Sequence, residues 1–166
     1  AETKALVSRH PRKDFILFTE DRLNPIKMQA ALPYRWIQKG PQAKFSGSAA
    51  RGEHYSFQIG VYALQQTEGI MLSFSPMTNK KGEIIPAQNL SCINTRGTDY
   101  KGQNFSKTIS LAANQVQALW CLIDIPPNTK PGIYTGKVIV AAANAKPYPV
   151  SVSITVSDKL LADGGI

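Results

Sequence analysis

The chain has 166 residues, 43% of them hydrophobic and 18% charged, with a formal net charge of +8. That length suits one globular domain whose core needs no metal or disulfide staple, and the composition excludes a disordered polypeptide. The positive charge is spread: residues 1–44 carry nine Lys/Arg against four Asp/Glu, and the other 122 carry ten against seven. No dedicated basic face for nucleic acid is expected, and no stretch approaches the ~20 apolar residues of a membrane helix.

In chain order, residues 1–13 read as a solvated N-terminal strap whose densest charge cluster is Arg9, His10, Arg12 and Lys13. A short strand is expected at Phe15–Phe18. Asn24–Ala31 is the best helical candidate, with Pro25 where a first turn tolerates it. Tyr34–Ile37 and Ala43–Gly47 read as further short strands, with Tyr34 and Trp36 alternating onto one face.

The dominant period is then two. In 52–63, Tyr55, Phe57, Ile59 and Val61 alternate with Ser56, Gln58 and Gly60, the pattern of a strand with one buried face. Ile70, Leu72 and Phe74 repeat it, and Val150, Val152, Ile154 and Val156 give the cleanest case. Two runs, 116–125 and 136–142, are apolar on both sides and belong centrally in a sheet or under a partner. The proline-dense segment 126–132 between them reads as the rigid loop of an antiparallel hairpin. Shorter strands are expected at Glu83–Ile85, Gln88–Ile93 and Lys107–Leu111. Many short strands separated by Gly, Pro and Asn breakers predict an all-β protein, an antiparallel two-sheet β-sandwich of immunoglobulin-like or jelly-roll type.

Residues that carry chemistry are few. His10 and His54 are the only histidines, and His54 reads as an outward strand residue; no metal-ligand spacing, phosphate loop or nucleophile elbow appears. No cofactor is implied. Glycoside hydrolysis needs two carboxyls across a cleft. Only Glu20 and Asp21 are adjacent, and these read as solvated or capping groups; Asp124 reads as a carboxylate closing the turn before Pro126. The long polar segment 92–107 carries Asn94, Arg96, Asp99, Tyr100 and Lys101 and reads either as a solvated loop or as a contact for a ligand or domain. Tyr34, Trp36, Trp120 and Tyr100 offer rings that would stack on sugars if exposed, or fill the core if not. Cys92 and Cys121 lie in apolar strand contexts and read as buried free thiols, with a bridge between them as the alternative in an oxidising compartment.

Four segments taken together, RGEHYSFQIGVYA (51–63), CINTRGTDYKGQNFSK (92–107), VQALWCLIDIPPNTKPGIYTGKVIV (116–140) and ADGG (162–165), resemble the N-terminal β-sandwich of family-123 glycoside hydrolases and related bacterial proteins. The resemblance covers roughly residues 50–165. It implies a strap with first strands over 1–49, a sandwich body over 50–160, and a linker over 161–166 leading to a C-terminal (β/α)8 barrel. In that family the barrel removes terminal β-linked N-acetylgalactosamine with an Asp-Glu pair and the substrate's own acetamido group. Neither carboxylate maps onto this chain. The resemblance thus implies a non-catalytic accessory domain of an exported hydrolase, with the barrel as its partner. Tyr34, Trp36, Arg96, Asp99 and Tyr100 are the candidate contacts to barrel or glycan, and a carbohydrate-binding module is the alternative.

Overall fold

A computed structural model describes residues 2–12, 14–27, 32–143 and 145–161. The elements are α1 (Glu2–Arg9), β1 (Phe15–Asp21), α2 (Tyr34–Lys39), β2 (Lys44–Arg51), β3 (His54–Ala63), β4 (Thr67–Phe74), β5 (Met77–Thr78), β6 (Ile84–Ile85), β7 (Leu90–Cys92), β8 (Arg96–Thr98), β9 (Asn104–Ser106), β10 (Ile109–Leu111), β11 (Val116–Asp124), β12 (Gly132–Ala141) and β13 (Tyr148–Leu160). They build a two-sheet β-sandwich with a separate β8–β9 hairpin, the expected all-β class.

The first sheet has the order β1-β3-β11-β7 and is antiparallel throughout. The second runs β10-β4-β12-β13-β2, with β5 and β6 extending beside β12. Its last pair departs from the expected pattern: β2 lies parallel to β13, from Lys44 beside Ser151 to Ala49 beside Val156. Between the sheets, inward residues of the alternating strands and of the two apolar runs meet in one core. Phe57, Ile59, Val61, Leu119 and Ile123 come from the first sheet; Ile70, Val138, Val140, Val150, Val152, Ile154 and Val156 come from the second. Each of these is at most 2% exposed, as close-packed protein interiors require.

Several local expectations are corrected. The segment 126–132 does not close a hairpin, because β11 pairs with β3 and β7 while β12 pairs with β4, β5 and β13. It carries the chain across from one sheet to the other. Turn chemistry announces such a reversal but not the partner strand, and both apolar runs do lie inside their sheets. Tyr34–Ile37 is not a strand: α2 begins there after Pro33 and ends at Gly40, whose N–H donates to the Trp36 carbonyl. The helix expected over 24–31 is absent at 24–27, and its remaining residues lie outside those described. Residues 2–9 of the strap form α1, with Leu6 and Val7 packed on a second apolar cluster. Of the linker expected over 161–166, only Leu161 is described, its N–H donating to the Arg51 carbonyl at 2.9 Å; 162–166 lie outside the described residues.

That second cluster sits on the outer face of the first sheet. Ile16, Phe18, Tyr62 and Val116 point away from the main core and are covered by Leu32 and Trp36. Hence β3 is buried on both faces from Phe57 to Ala63.

Candidate functional site

The outer face of the first sheet is half covered, and the boundary is set by named side chains. Trp36 lies on Gly60 and stacks on Phe18 with ring centroids 4.6 Å apart and planes 14° from parallel. Its indole N–H donates to Glu20 Oε2 at 3.3 Å, and Arg35 holds Glu20 Oε1 at 3.0 Å. Beside it, the buried Gln58 amide closes the cover. Its Oε1 accepts from the Ile26 N–H at 2.7 Å, and its Nε2 donates to the carbonyls of Asp21 and Asn24 at 2.7 and 3.0 Å. A buried amide with donors and acceptor all used fixes the loop it holds.

Beyond Gln58 the cover stops. Trp120 is its cross-strand neighbour on β11, and Leu122 follows on the same face; both are only half-buried, although Leu119, Cys121 and Ile123 between and beside them are fully buried. Ile93 lies opposite Trp120, its N–H donating to the Trp120 carbonyl at 3.0 Å, and is 48% exposed. Leu23, in the loop tied to Gln58, is 80% exposed. Ile93, Trp120 and Leu122 form an open apolar border on a face whose other half is sealed. No sequence signal separated the sealed half from the open one, because both halves of β11 are apolar.

The 92–107 segment adjoins this border and is not an irregular loop. It folds back as the hairpin β8–β9, with Arg96 beside Ser106 and Thr98 beside Asn104. Asp99 makes its turn: Oδ1 accepts the N–H groups of Lys101 and Gln103 at 2.8 and 2.9 Å. Tyr100 stands at the tip, 92% exposed, with Lys101 Nζ 5.4 Å from its ring centroid. Arg96 is exposed on β8 and lines a cleft of about 280 Å³ between β4 and β7, with Cys92 and Thr95 on its wall.

The five candidate residues are therefore divided. Arg96, Asp99 and Tyr100 share the hairpin. Tyr34 and Trp36 lie two apart on α2, so they point to different sides: Tyr34 is 62% exposed and Trp36 only 2%. Trp36 is a core residue of the cover and has no free face.

Carboxylate chemistry is equally constrained. Glu20, expected at the surface, is buried 5% exposed beneath Trp36 and Arg35. Among the described residues it is the sole acidic group lining the cleft of about 360 Å³ between residues 23–27 and α2, where a glycosidase would need a second. Asp21 does cap its turn, accepting the Leu23 N–H at 2.7 Å. Asp124 does not close the turn with its carboxylate. That group meets His54 Nδ1 at 3.1 Å across the β3–β11 pair, and the Asp124 carbonyl instead accepts from Asn89. Both side chains are 61% exposed. Among the described residues no group of three or more His, Cys, Asp or Glu converges on a possible metal position.

The sequence profile of the glycoside hydrolase 123 N-terminal domain matches residues 98–142, from the β8–β9 hairpin through β11 to β12. The chain resembles the N-terminal domain of family-123 glycoside hydrolases. A family-123 glycoside hydrolase from Clostridium perfringens, described for glycolipid glycan hydrolysis, superposes with a TM-score of 0.62 at 20% identity; the match covers 87% of this chain and 28% of that one. The family-123 enzyme is thus more than three times as long as the part it shares with this chain. The PapD-like domain of human CEP192 matches at 11% identity and a TM-score of 0.47, over 71% of this chain and 83% of that domain. Among curated proteins none matches.

Proposed function

We propose that this chain is a non-catalytic accessory domain of a larger bacterial, exported glycoside hydrolase of family-123 type, and that it supports a following (β/α)8 catalytic barrel. The observation that carries this reading is the open apolar border of Ile93, Trp120 and Leu122. Contiguous apolar surface beside a polar hairpin is what an inter-domain contact leaves exposed when the partner is absent. Trp120 and Leu122 of the border lie within the stretch matched by the family profile, and the cleft at Glu20 offers one engaged carboxylate rather than a pair. The hairpin tip with Tyr100 would then stand at the rim of the contact, where it shapes the substrate cleft.

The experiment compares the polypeptide that joins this domain to its barrel with the domain alone, using an aryl β-N-acetylgalactosaminide. The joined protein is expected to hydrolyse it, and Trp120→Ser with Leu122→Ser to lower its inactivation temperature. Hydrolysis by the isolated domain would overturn the reading.

A second reading, a carbohydrate-binding module, is favoured by Tyr100, whose ring is 92% exposed beside Lys101. Stacking on a sugar face uses such a ring. Calorimetry with β-N-acetylgalactosamine-bearing oligosaccharides tests it: binding lost in Tyr100→Ala supports it, and no binding by the unaltered domain rejects it.

A further inference from the structure

Cys92 on β7 and Cys121 on β11 stand directly opposite one another, and both side chains enter the main core, 1% and 0% exposed. Their register class follows from the next pair along. The Ile93 N–H donates to the carbonyl of Trp120, its opposite residue, so 93 and 120 form a hydrogen-bonded pair. Pairs alternate along an antiparallel ladder, which makes Cys92–Cys121 a non-hydrogen-bonded pair, the kind whose Cα atoms approach to about 4.5 Å. That spacing falls within the range of about 4.4–6.8 Å that a disulfide bridges without moving the backbone. In the reduced chain the Cys92 thiol lies 4.0 Å from Asn94 Oδ1 and the Cys121 thiol 4.0 Å from the Leu119 carbonyl, so neither sulfur is held by a strong partner.

We propose that Cys92 and Cys121 form a cross-strand disulfide in an oxidising milieu, by exchange with a small-molecule disulfide. The Cys92 thiolate attacks one sulfur of the reagent, forming a mixed disulfide and releasing one reagent thiolate. Cys121 sulfur then attacks the Cys92 sulfur, closing the bridge and expelling the second. The two protein protons pass to the two released thiolates, and the reagent takes up the two electrons.

The structure orders the two steps. The adjacent Cys121 thiol holds the Cys92 thiol below the ordinary range against the effect of burial, whereas burial pushes Cys121 up. Cys92 also lines the cleft between β4 and β7, and β7 is a three-residue edge strand. Cys121 is covered by β3 on one side and β7 on the other. The bridge would tie this short edge strand, and the β8–β9 hairpin leaving it, to a strand inside the sheet. It stands whether or not the parent polypeptide is a hydrolase.

The test begins from protein unfolded in excess reductant, so that burial sets no kinetic limit. The chain is refolded in mixed reduced and oxidised glutathione, denatured, alkylated and weighed. The expected product carries no alkyl group, weighs two mass units less than the reduced chain, and yields one peptide pair joined between 92 and 121. Reduction of the refolded protein should lower its Tm by roughly 5–15 °C. Two alkylated cysteines in a chain refolded to native circular dichroism, a persistent glutathione adduct, or a dimer bridged between chains would each overturn the proposal. So would a bridged protein whose Tm ignores reductant.

Discussion

The indole of Trp36 rests on the bare backbone of Gly60: any Cβ at position 60 would overlap its Cη2 and stand 2.8 Å from Cζ3. Strand β3 thus gives up a side chain so that α2 can seal the sheet. Gly60→Ala must displace the indole from Phe18 and Glu20, at an expected cost of about 1–3 kcal/mol of overpacking. Trp36→Ala should cost about 3–5 kcal/mol by opening a cavity in the cover. Urea unfolding of the two variants checks both values. Loss from Gly60→Ala equal to that of an exposed strand glycine would contradict the contact.

The Gln58 amide predicts a second, separable effect. Gln58→Ala leaves the Ile26 N–H and two carbonyls without their partner. An expected loss of about 2–3 kcal/mol follows from unsatisfied buried groups. Hydrogen exchange should show the Ile26 amide deprotected while the β12–β13 amides keep their protection.

Asp14 gives a pH prediction. Burial opposes its charge, but the Arg12 side chain, the Phe15 N–H at 2.7 Å and the Arg12 charge outweigh that and hold its carboxyl below the ordinary value. A depressed folded-state value stabilises the fold above the unfolded value of about 3.9, and the contribution is lost as pH falls through the folded value. Asp14→Asn is therefore expected to cost about 1 kcal/mol at pH 7, with the difference shrinking below pH of about 4. Denaturant midpoints of both proteins across pH 2–7 measure it. Arg12 adds contacts of its own here, lying 4.8 Å from the Phe15 ring centroid and 4.6 Å from that of Tyr148.

Asp99 organises the hairpin turn through its Oδ1, which accepts the Lys101 and Gln103 N–H groups. Asp99→Ala should release the Lys101 and Gln103 amides to fast exchange, yet leave the global Tm within about 2 °C, because the β8–β9 residues lie outside both apolar clusters. A large global loss would show that the hairpin is integral to the core.

These residues also mark what could be read from the sequence. Val150 to Val156 announced their strand because β-branched residues on one face and Ser or Thr on the other leave no helical alternative, and all four are buried as that pattern requires. Tyr34–Lys39 misled because six residues are too short for a 3.6 period to show, and an aromatic at every second position imitates a strand. Residues 126–132 showed that the chain turns, but pairing is decided by long-range packing of β11 on β3 and β12 on β13. The candidate site was legible at the hairpin, where Asp99 and Tyr100 are surface turn residues. It was not legible at the open border, since whether Trp120 is covered depends on how far α2 and the 21–26 loop reach across the sheet.

The decisive measurement is the exposure of Trp120, followed by acrylamide quenching in a Trp36→Phe background. In the isolated domain Trp120 should be readily quenched. Within a polypeptide that joins this domain to the proposed barrel, a Trp120→Phe difference measurement, which subtracts every other tryptophan, should show that its contribution is protected at least severalfold. Equal quenching in both contexts would contradict the account, because the open border would then not be where the catalytic domain docks.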